Sequence, residues 1–272
     1  MTDNRTFSHP ESALGSASYP VEAGAIPTFA EEVGSYQVRF AKTAEDLDQI
    51  LKLRYQIFNL ELGEGLDESH RTGRDEDDLD GRMHHLMILT RSTGAVVGTY
   101  RMQTSDMAAR YGGFYSAEEF EVANLPPAVV ASSVEIGRAC VAREHRNGRV
   151  LSLLWRGLAE YLVHNYKHYL FGCCSLTSQD EALGVRTHAH LEHVGAVHPT
   201  LLVNPRPDCR CQGEPSLPGD PEHIPALFQS YLSLGAKVLG PPAIDRRFKT
   251  IDWLVIIDTR DIDIATHRRF FR

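Results

Sequence analysis

The chain has 272 residues, 42% of them apolar, 8% aromatic and 24% charged, and a net charge of −8. This is globular composition, long enough for one large domain with a real core, and it excludes low-complexity, collagen-like and coiled-coil architectures. So acidic a protein is a poor generic binder of nucleic acid or anionic membrane, and an anionic partner would have to meet a local basic patch.

No stretch approaches about 18 consecutive apolar residues, and the first residues lack the basic start and apolar run of a secretory signal, which leads us to expect a cytoplasmic protein. The five cysteines, with Cys173 and Cys174 adjacent and Cys209 and Cys211 one residue apart, do not form a disulfide framework, as suits a reducing compartment.

Residues 1–34, rich in Ser, Pro, Ala and Gly and without periodicity, read as a flexible leader. A single domain is expected over 35–272, beginning with the alternating run Tyr36 to Ala41, a half-buried strand. Thr43 followed by Asp46 resembles a capping box, and Leu47, Ile50, Leu51, Ile57 and Phe58 give the following helix a core-facing stripe. A charged loop from Gly63 ends in Asp75-Glu76-Asp77-Asp78-Leu79-Asp80. Two strand-like runs, from His85 and from Ala95, flank the turn Ser92-Thr93-Gly94.

Ser133 to Val141 predicts another strand, Gly148 to Tyr166 a helix, Tyr169 to Cys174 a buried strand, 178–195 a helix, Ile224 to Leu234 a helix and Ile251 to Ile257 a strand. An insertion containing Pro and Cys occupies about 197–222. Strands alternating with helices, with an early antiparallel hairpin, predict an α/β (α+β) fold whose sheet is covered on both faces.

Arg54 interrupts the apolar stripe of its helix, where arginine is buried only if paired; it either meets acids there or snorkels to solvent. Glu135 and Arg138 put opposite charges into an apolar strand. Strict alternation would send them to opposite faces, whereas a β-bulge at Gly137 would bring them to one side; a purely structural ion pair is the alternative. Arg101 repeats the pattern at the end of the strand that starts Val96-Val97-Gly98.

In this order, Leu53-Arg54-Tyr55-x-x-Phe58, Asp77-Asp78-x-Asp80, Gly98-Thr99-Tyr100-Arg101 and Glu135-Ile136-Gly137-Arg138-Ala139-Cys140-Val141 resemble the N-acyltransferase branch of the GNAT superfamily. That branch includes acyl-homoserine-lactone synthases and ornithine Nα-acyltransferases. The segments Leu154-Trp155, Phe171 to Ser175, Tyr231 to Ala236 and Ile244 to Asp252 are more similar to the ornithine-acylating group, whose members are often labelled hemolysin-like.

The resemblance implies a mostly antiparallel GNAT-like sheet and acyl transfer from an acyl carrier protein thioester to an amino group, most simply the α-amine of ornithine. It makes Glu135 the candidate base, with Arg138 and Arg101 beside it. Arg54, Phe58, Asp77 and Asp80 fall on the substrate side, where the three arginines either hold the acidic loop shut or grip the acceptor's carboxylate. No covalent enzyme intermediate is required, so Cys140, Cys173 and Cys174 read as small buried hydrophobes.

The cofactor loop comprises Val141, Arg143, His145, Arg146, Gly148 and Arg149. The usual GNAT turn has Arg or Gln, two residues, Gly, one residue, then Gly or Ala; here His145 stands first and Val150 last. This departure disfavours the coenzyme A diphosphate and favours the phosphopantetheine of acyl carrier protein, with no permanently bound cofactor. Between Glu135 and His168 lie six basic residues (Arg138, Arg143, Arg146, Arg149, Arg156, Lys167) and three acids, a patch suited to an acidic carrier protein or simply a solvated face.

His188, His190, His193, His198, Cys209 and Cys211 match no metal-ligand spacing, and no metal is expected. The amphiphilic product suggests contact with the inner membrane surface. The alternatives are acylation of another amine, such as glycine or a signalling amide, and a non-catalytic GNAT module that binds acyl chains or the carrier protein.

Overall fold

The computed structural model describes residues 19–213 and 224–271. In chain order its main elements are β1 (Ala30–Val33), β2 (Tyr36–Phe40), α1 (Ala44–Arg54), α2 (Ser69–Thr72), β3 (His84–Thr90), β4 (Val96–Thr104), α3 (Ser105–Arg110), α4 (Pro127–Ala131), β5 (Ser133–Val141), α5 (Gly148–His164), β6 (Tyr169–Leu176), α6 (Glu181–His193), α7 (Ala226–Ser233), β7 (Lys237–Val238), β8 (Ala243–Asp245), β9 (Thr250–Asp258) and α8 (Ile264–Phe270). The strands form one sheet in the order β1-β2-β3-β4-β5-β6-β9-β7, with β8 also on β9. All neighbours are antiparallel except β5 and β6, which run parallel because α5 crosses over between them.

Alternation along the strands divides the core as expected for a sheet covered on both sides. Val134, Ile136, Leu170, Trp253 and Val255 pack on one face with Leu154 and Leu158 of α5 and Phe228 of α7. On the other face Phe171, Leu254 and Ile256 pack against Phe120, Val122, Leu125 and Val129 of the segment before β5, while Ile50 of α1 meets Met87 and Leu89. We call these the first and second faces. Thr43 caps α1, accepting from the Asp46 N–H at 3.1 Å. The Asp46 carboxylate accepts from Lys42 N and, in two bonds, from Arg39.

Two expected boundaries move. Residues 19–34, assigned to a leader, are part of the folded body: β1 pairs with β2, Ile26 is in the core, and His84 Nε2 meets the Val21 carbonyl at 2.8 Å. Residues 1–18 lie outside the described residues. The insertion near 197–222 is packed as far as it is described: Val203 is fully buried, and bridges tie Val197 to Val238, Pro205 to Phe120 and Arg210 to Ala243. Its part beyond residue 213 lies outside the described residues.

The feature that positions the site is a split in the sheet. β5 and β6 pair only through Ser133–Tyr169, Val134–Leu170 and Glu135–Phe171. Beyond that point β5 stays with β4 and β6 stays with β9, leaving a wedge between them. Gly172 sits at the vertex, where a Cβ would lie 2.0 Å from the Ile136 carbonyl oxygen. Gly172→Ala should therefore force the strands apart and destabilise the protein by about 1–3 kcal/mol, measured as a lower urea midpoint; an unchanged midpoint would show that the vertex is not close-packed.

Candidate active site

The first layer of the site is a buried lattice of charges. After Arg54 the α1 helix widens into a π-helical turn, Tyr55–Glu61, an irregularity frequent at functional sites. Arg54 is fully buried and does not snorkel. It donates to Asp80 Oδ1 at 2.5 Å and to Asp75 Oδ1 at 2.6 Å. Arg101 donates to Asp77 at 2.6 Å and Asp80 at 3.0 Å. Arg138 stands 3.6 Å from Asp75.

Three arginines thus meet three aspartates and clamp the acidic loop onto β4 and β5. Burial would raise the Asp80 carboxyl, but the Arg54 and Arg101 guanidiniums override it and hold it well below the usual carboxylate range. Burial pushes the adjacent His85 imidazole down to about 3, which keeps it neutral.

Beside this lattice a cavity of about 610 Å³ passes through the wedge. Its wall on the first face is apolar, with Tyr100, Ile136, Leu151, Leu154, Leu170, Phe228, Tyr231, Val255 and Ile257. On the second face it is polar, with Glu64, Arg101, Tyr115, Glu135, Arg138, Asp245 and Asp252. Of the residues singled out in the sequence, Phe58, Arg101, Glu135, Arg138, Val141, Arg146 and Gly148 line it.

Arg54, Asp77 and Asp80 were expected to touch substrate. They do not line the cavity, because their charges are spent on one another; between the two roles considered for Arg54 and Arg101, the geometry favours holding the loop. Arg143, His145 and Arg149 also lie off the cavity wall. His145 Nδ1 is 3.0 Å from the Tyr36 hydroxyl.

The bulge in β5 is present. Thr99 pairs with Cys140 and Arg101 with Gly137, so β5 spends one more residue than β4 over this stretch, and Arg138 takes the left-handed conformation with φ +48°. Glu135 and Arg138 consequently share the cavity. The Glu135 carboxylate, however, is saturated: it accepts from Gln103 Nε2 at 2.7 Å, Tyr115 N at 2.9 Å, Ser116 N at 2.8 Å and Ser116 Oγ at 2.6 Å. A base needs a free lone pair, and this side chain instead pins the Tyr115 turn over the cavity. Arg138 is held differently. Its guanidinium stacks 3.6 Å from the Phe248 ring centroid and 5.4 Å from that of Phe58, and Nε and Nη2 have no hydrogen-bond partner.

At the mouth, Asn147 caps α5, its Oδ1 accepting from Arg149 N and Val150 N, both at 3.1 Å. The amides an anion would use are thus partly satisfied from within. The basic patch is also smaller than the residue count suggests. Arg146 pairs with Glu61 at 2.6 Å, Lys167 with Asp106 at 2.7 Å, and Arg156 with Glu31. Only Arg143 and Arg149 of the six have no ion pair among the described residues.

Sequence reasoning missed several wall residues. Glu64 is half-buried, accepts from Thr177, and has its carboxyl pushed up by burial. Asp245 ends β8, Phe248 comes from the turn before β9, and Asp252 from β9 itself. A lone acid inside Ile251-Asp252-Trp253-Leu254-Val255-Ile256-Ile257 was the available signal, of the same kind as Arg54 on its helix. The six His and Cys side chains considered for a metal do not converge. Among the described residues, those that do are Glu119, Cys173 and Asp252, whose ligand atoms lie within 4.8 Å of one another. Burial pushes the Cys140 thiol up to about 12 and raises those of Cys173 and Cys174 well above the usual thiol range.

A split, mostly antiparallel sheet with a bulged strand beside a two-sided cavity defines a GNAT-type acyltransferase, and the family model described as "Acetyltransferase (GNAT) domain" matches residues 53–156. The L-ornithine N(alpha)-acyltransferase of Rhizobium meliloti is 31% identical over 241 residues, covering 83% of this chain and 80% of the relative. That of Rhodobacter capsulatus is 31% identical over 248 residues, covering 87% and 95%. The chain belongs to the L-ornithine N(alpha)-acyltransferase family. Among solved structures the AHL synthase LasI superposes with a TM-score of 0.48 at 14% identity, covering 88% of this chain and 96% of its own.

Two variants test this geometry. Arg54→Met leaves Asp75 and Asp80 buried with too little positive charge and should cost about 3–5 kcal/mol, read by urea unfolding; a loss below about 1 kcal/mol would mean that the loop is not held by this pair. Glu135→Gln replaces an acceptor oxygen with an amide facing N–H donors and should lower stability by about 1–3 kcal/mol. Full stability with lost turnover would instead return Glu135 to the role of base.

Proposed function

We propose that this acyltransferase moves a long-chain or 3-hydroxyacyl group from acyl carrier protein to the α-amino group of ornithine, forming an amide that is the precursor of an ornithine lipid. The observation that carries this reading is the two-sided cavity, together with relatives named for ornithine Nα-acylation. The apolar half takes the acyl chain, the wedge takes the thioester, and the charged half takes the amino acid.

On this reading the α-amine attacks the thioester carbon, a tetrahedral adduct forms, and collapse expels the pantetheine thiolate while the amine loses its proton. Among the wall carboxylates Glu135 has no free lone pair, whereas Glu64 has a single donor and a carboxyl raised by burial, as a general base requires. We therefore assign the proton to Glu64. Residues 137–139, which have no ladder partner on β6, offer the backbone where the developing oxyanion would sit. The unpartnered N–H groups of Arg138 suit the acceptor's carboxylate. Cavity thiols held protonated are consistent with direct transfer rather than an acyl-cysteine.

The internally capped α5 N-terminus supports a carrier-protein donor over coenzyme A. No helix among the described residues is long and apolar enough to cross a membrane. Leu62 on the cavity wall and Leu60 two residues before it are exposed, which is consistent with handing an amphiphilic product to a membrane surface.

Mass spectrometry of the products formed with ornithine and matched acyl-carrier-protein and acyl-coenzyme A donors tests the reading. The carrier protein should be the better donor at low salt, with the gap closing as ionic strength rises. The double variant Arg143→Glu, Arg149→Glu should raise KM for the carrier-protein donor with little change in kcat; equal use of both donors, insensitive to salt and to these changes, would restore a coenzyme A enzyme. Glu64→Gln should lower kcat by about two to four orders of magnitude and remove the acidic limb of the pH profile. Full turnover would exclude it as the base.

A further inference from the structure

Two clusters of buried acids lie on the second face, and they are neutralised unequally. Asp75, Asp77 and Asp80 each meet an arginine. Asp252, Asp245 and Glu119, at 3%, 8% and 5% exposure, take part in no ion pair among the described residues. Asp245 is partly satisfied by the N–H groups of Arg247 and Phe248, at 2.7 and 2.8 Å. Asp252 Oδ1 and both carboxylate oxygens of Glu119 have no hydrogen-bond partner. A buried carboxylate without a cation is costly, and proteins retain one where a ligand supplies the missing charge.

The group is not sealed. Asp245, Asp252 and Cys173 line the same cavity as Arg138, with Glu119 behind Asp252. Arg138 is the complementary observation, since its unpartnered Nε and Nη2 call for an anion where Asp252 calls for a cation. One molecule satisfies both if it carries a carboxylate and a second, remote ammonium.

We propose that Asp252, backed by Glu119 and Asp245, is the subsite for the side-chain ammonium of a basic amino-acid acceptor and sets the enzyme's preference for a diamino acid. The inference rests on the ornithine reading above and explains how that acceptor is told from a neutral one. Burial, foremost, raises the Asp252 carboxyl to about 6 and pushes the Glu119 carboxyl well above its usual range, the direction expected of buried carboxylates that no arginine or lysine meets. A metal fits less well, because no histidine joins Glu119, Cys173 and Asp252 among the described residues.

The test compares ornithine with norvaline, which keeps the carbon chain and lacks the terminal amine. The wild-type enzyme should prefer ornithine by at least about tenfold in kcat/KM, and Asp252→Asn should reduce that preference by about 10- to 100-fold, mainly through KM for ornithine. Because Asp252→Asn removes an unpaired buried charge, its Tm should not fall, and this control separates altered recognition from misfolding. Glu119→Gln should shift the preference in the same direction by less.

Equal loss with both acceptors would overturn the subsite, because Asp252 would then serve the reacting amine or the fold. An unchanged preference would also overturn it, as would loss of transfer on chelation that is restored by zinc. Wild-type enzyme that transfers to ornithine and norvaline equally defeats this inference alone, whereas failure to acylate ornithine at all defeats the reading on which it rests.

Discussion

The buried contact of Arg54 with Asp75 and Asp80 is the constraint on which the rest depends. A guanidinium with no exposure, at the point where α1 passes into a π-helical turn, can exist only if the acidic loop folds back to meet it. Once the loop is docked, its aspartates reach Arg101 on β4 and approach Arg138 on β5. Two adjacent strands are thereby fixed to one loop from the second face. Apart from the unpartnered N–H groups of Arg138, the lattice carries little that a substrate could use, since its charges cancel internally. Its work is to hold the bulged part of β5 while the neighbouring strand departs.

That departure creates the cavity. A continuous sheet would separate an apolar chamber under α5 and α7 from a polar chamber under the acidic loop. Because β5 and β6 pair for only three residues and then diverge, the chambers join, and a molecule can place its hydrocarbon on one side of the sheet and its charged groups on the other. Gly172 lets the strands touch at the vertex, and the bulge at Gly137 and Arg138 turns both Glu135 and Arg138 toward the opening. The same geometry explains the division of labour among the acids: Glu135 is tied into the wall by four donors, while Glu64 has a single donor and Asp252 Oδ1 has none.

Local rules were enough to locate the long elements in the sequence. The strand at Ser133–Val141, the helix from Gly148 and the hairpin around Gly94 follow from period and turn chemistry that are complete within a few residues. The two departures from pattern at Arg54 and at Glu135 with Arg138 marked the site for the same reason, since a charge on an apolar stripe must be answered from elsewhere. The ordered motifs also fixed the superfamily. β1 escaped notice because a four-residue edge strand has too little period to register, and only pairing with β2 defines it.

Which partner answers each charge was decided by tertiary structure alone. From sequence spacing Glu135 could be a base, and only the fold brings Tyr115 and Ser116 over it to occupy its oxygens. Arg146 counted toward a basic patch until the π-helical turn placed Glu61 against it. Asp252 lay in plain view within an apolar strand, but its lack of a cation among the described residues and its place in the same cavity wall as Arg138 come from elements more than a hundred residues apart. Periodicity records which side of an element is buried, because that depends on neighbouring residues. Charge neutralisation depends on contacts between distant segments, and for that reason the sequence marked where the site would form while the fold determined what each of its groups is free to do.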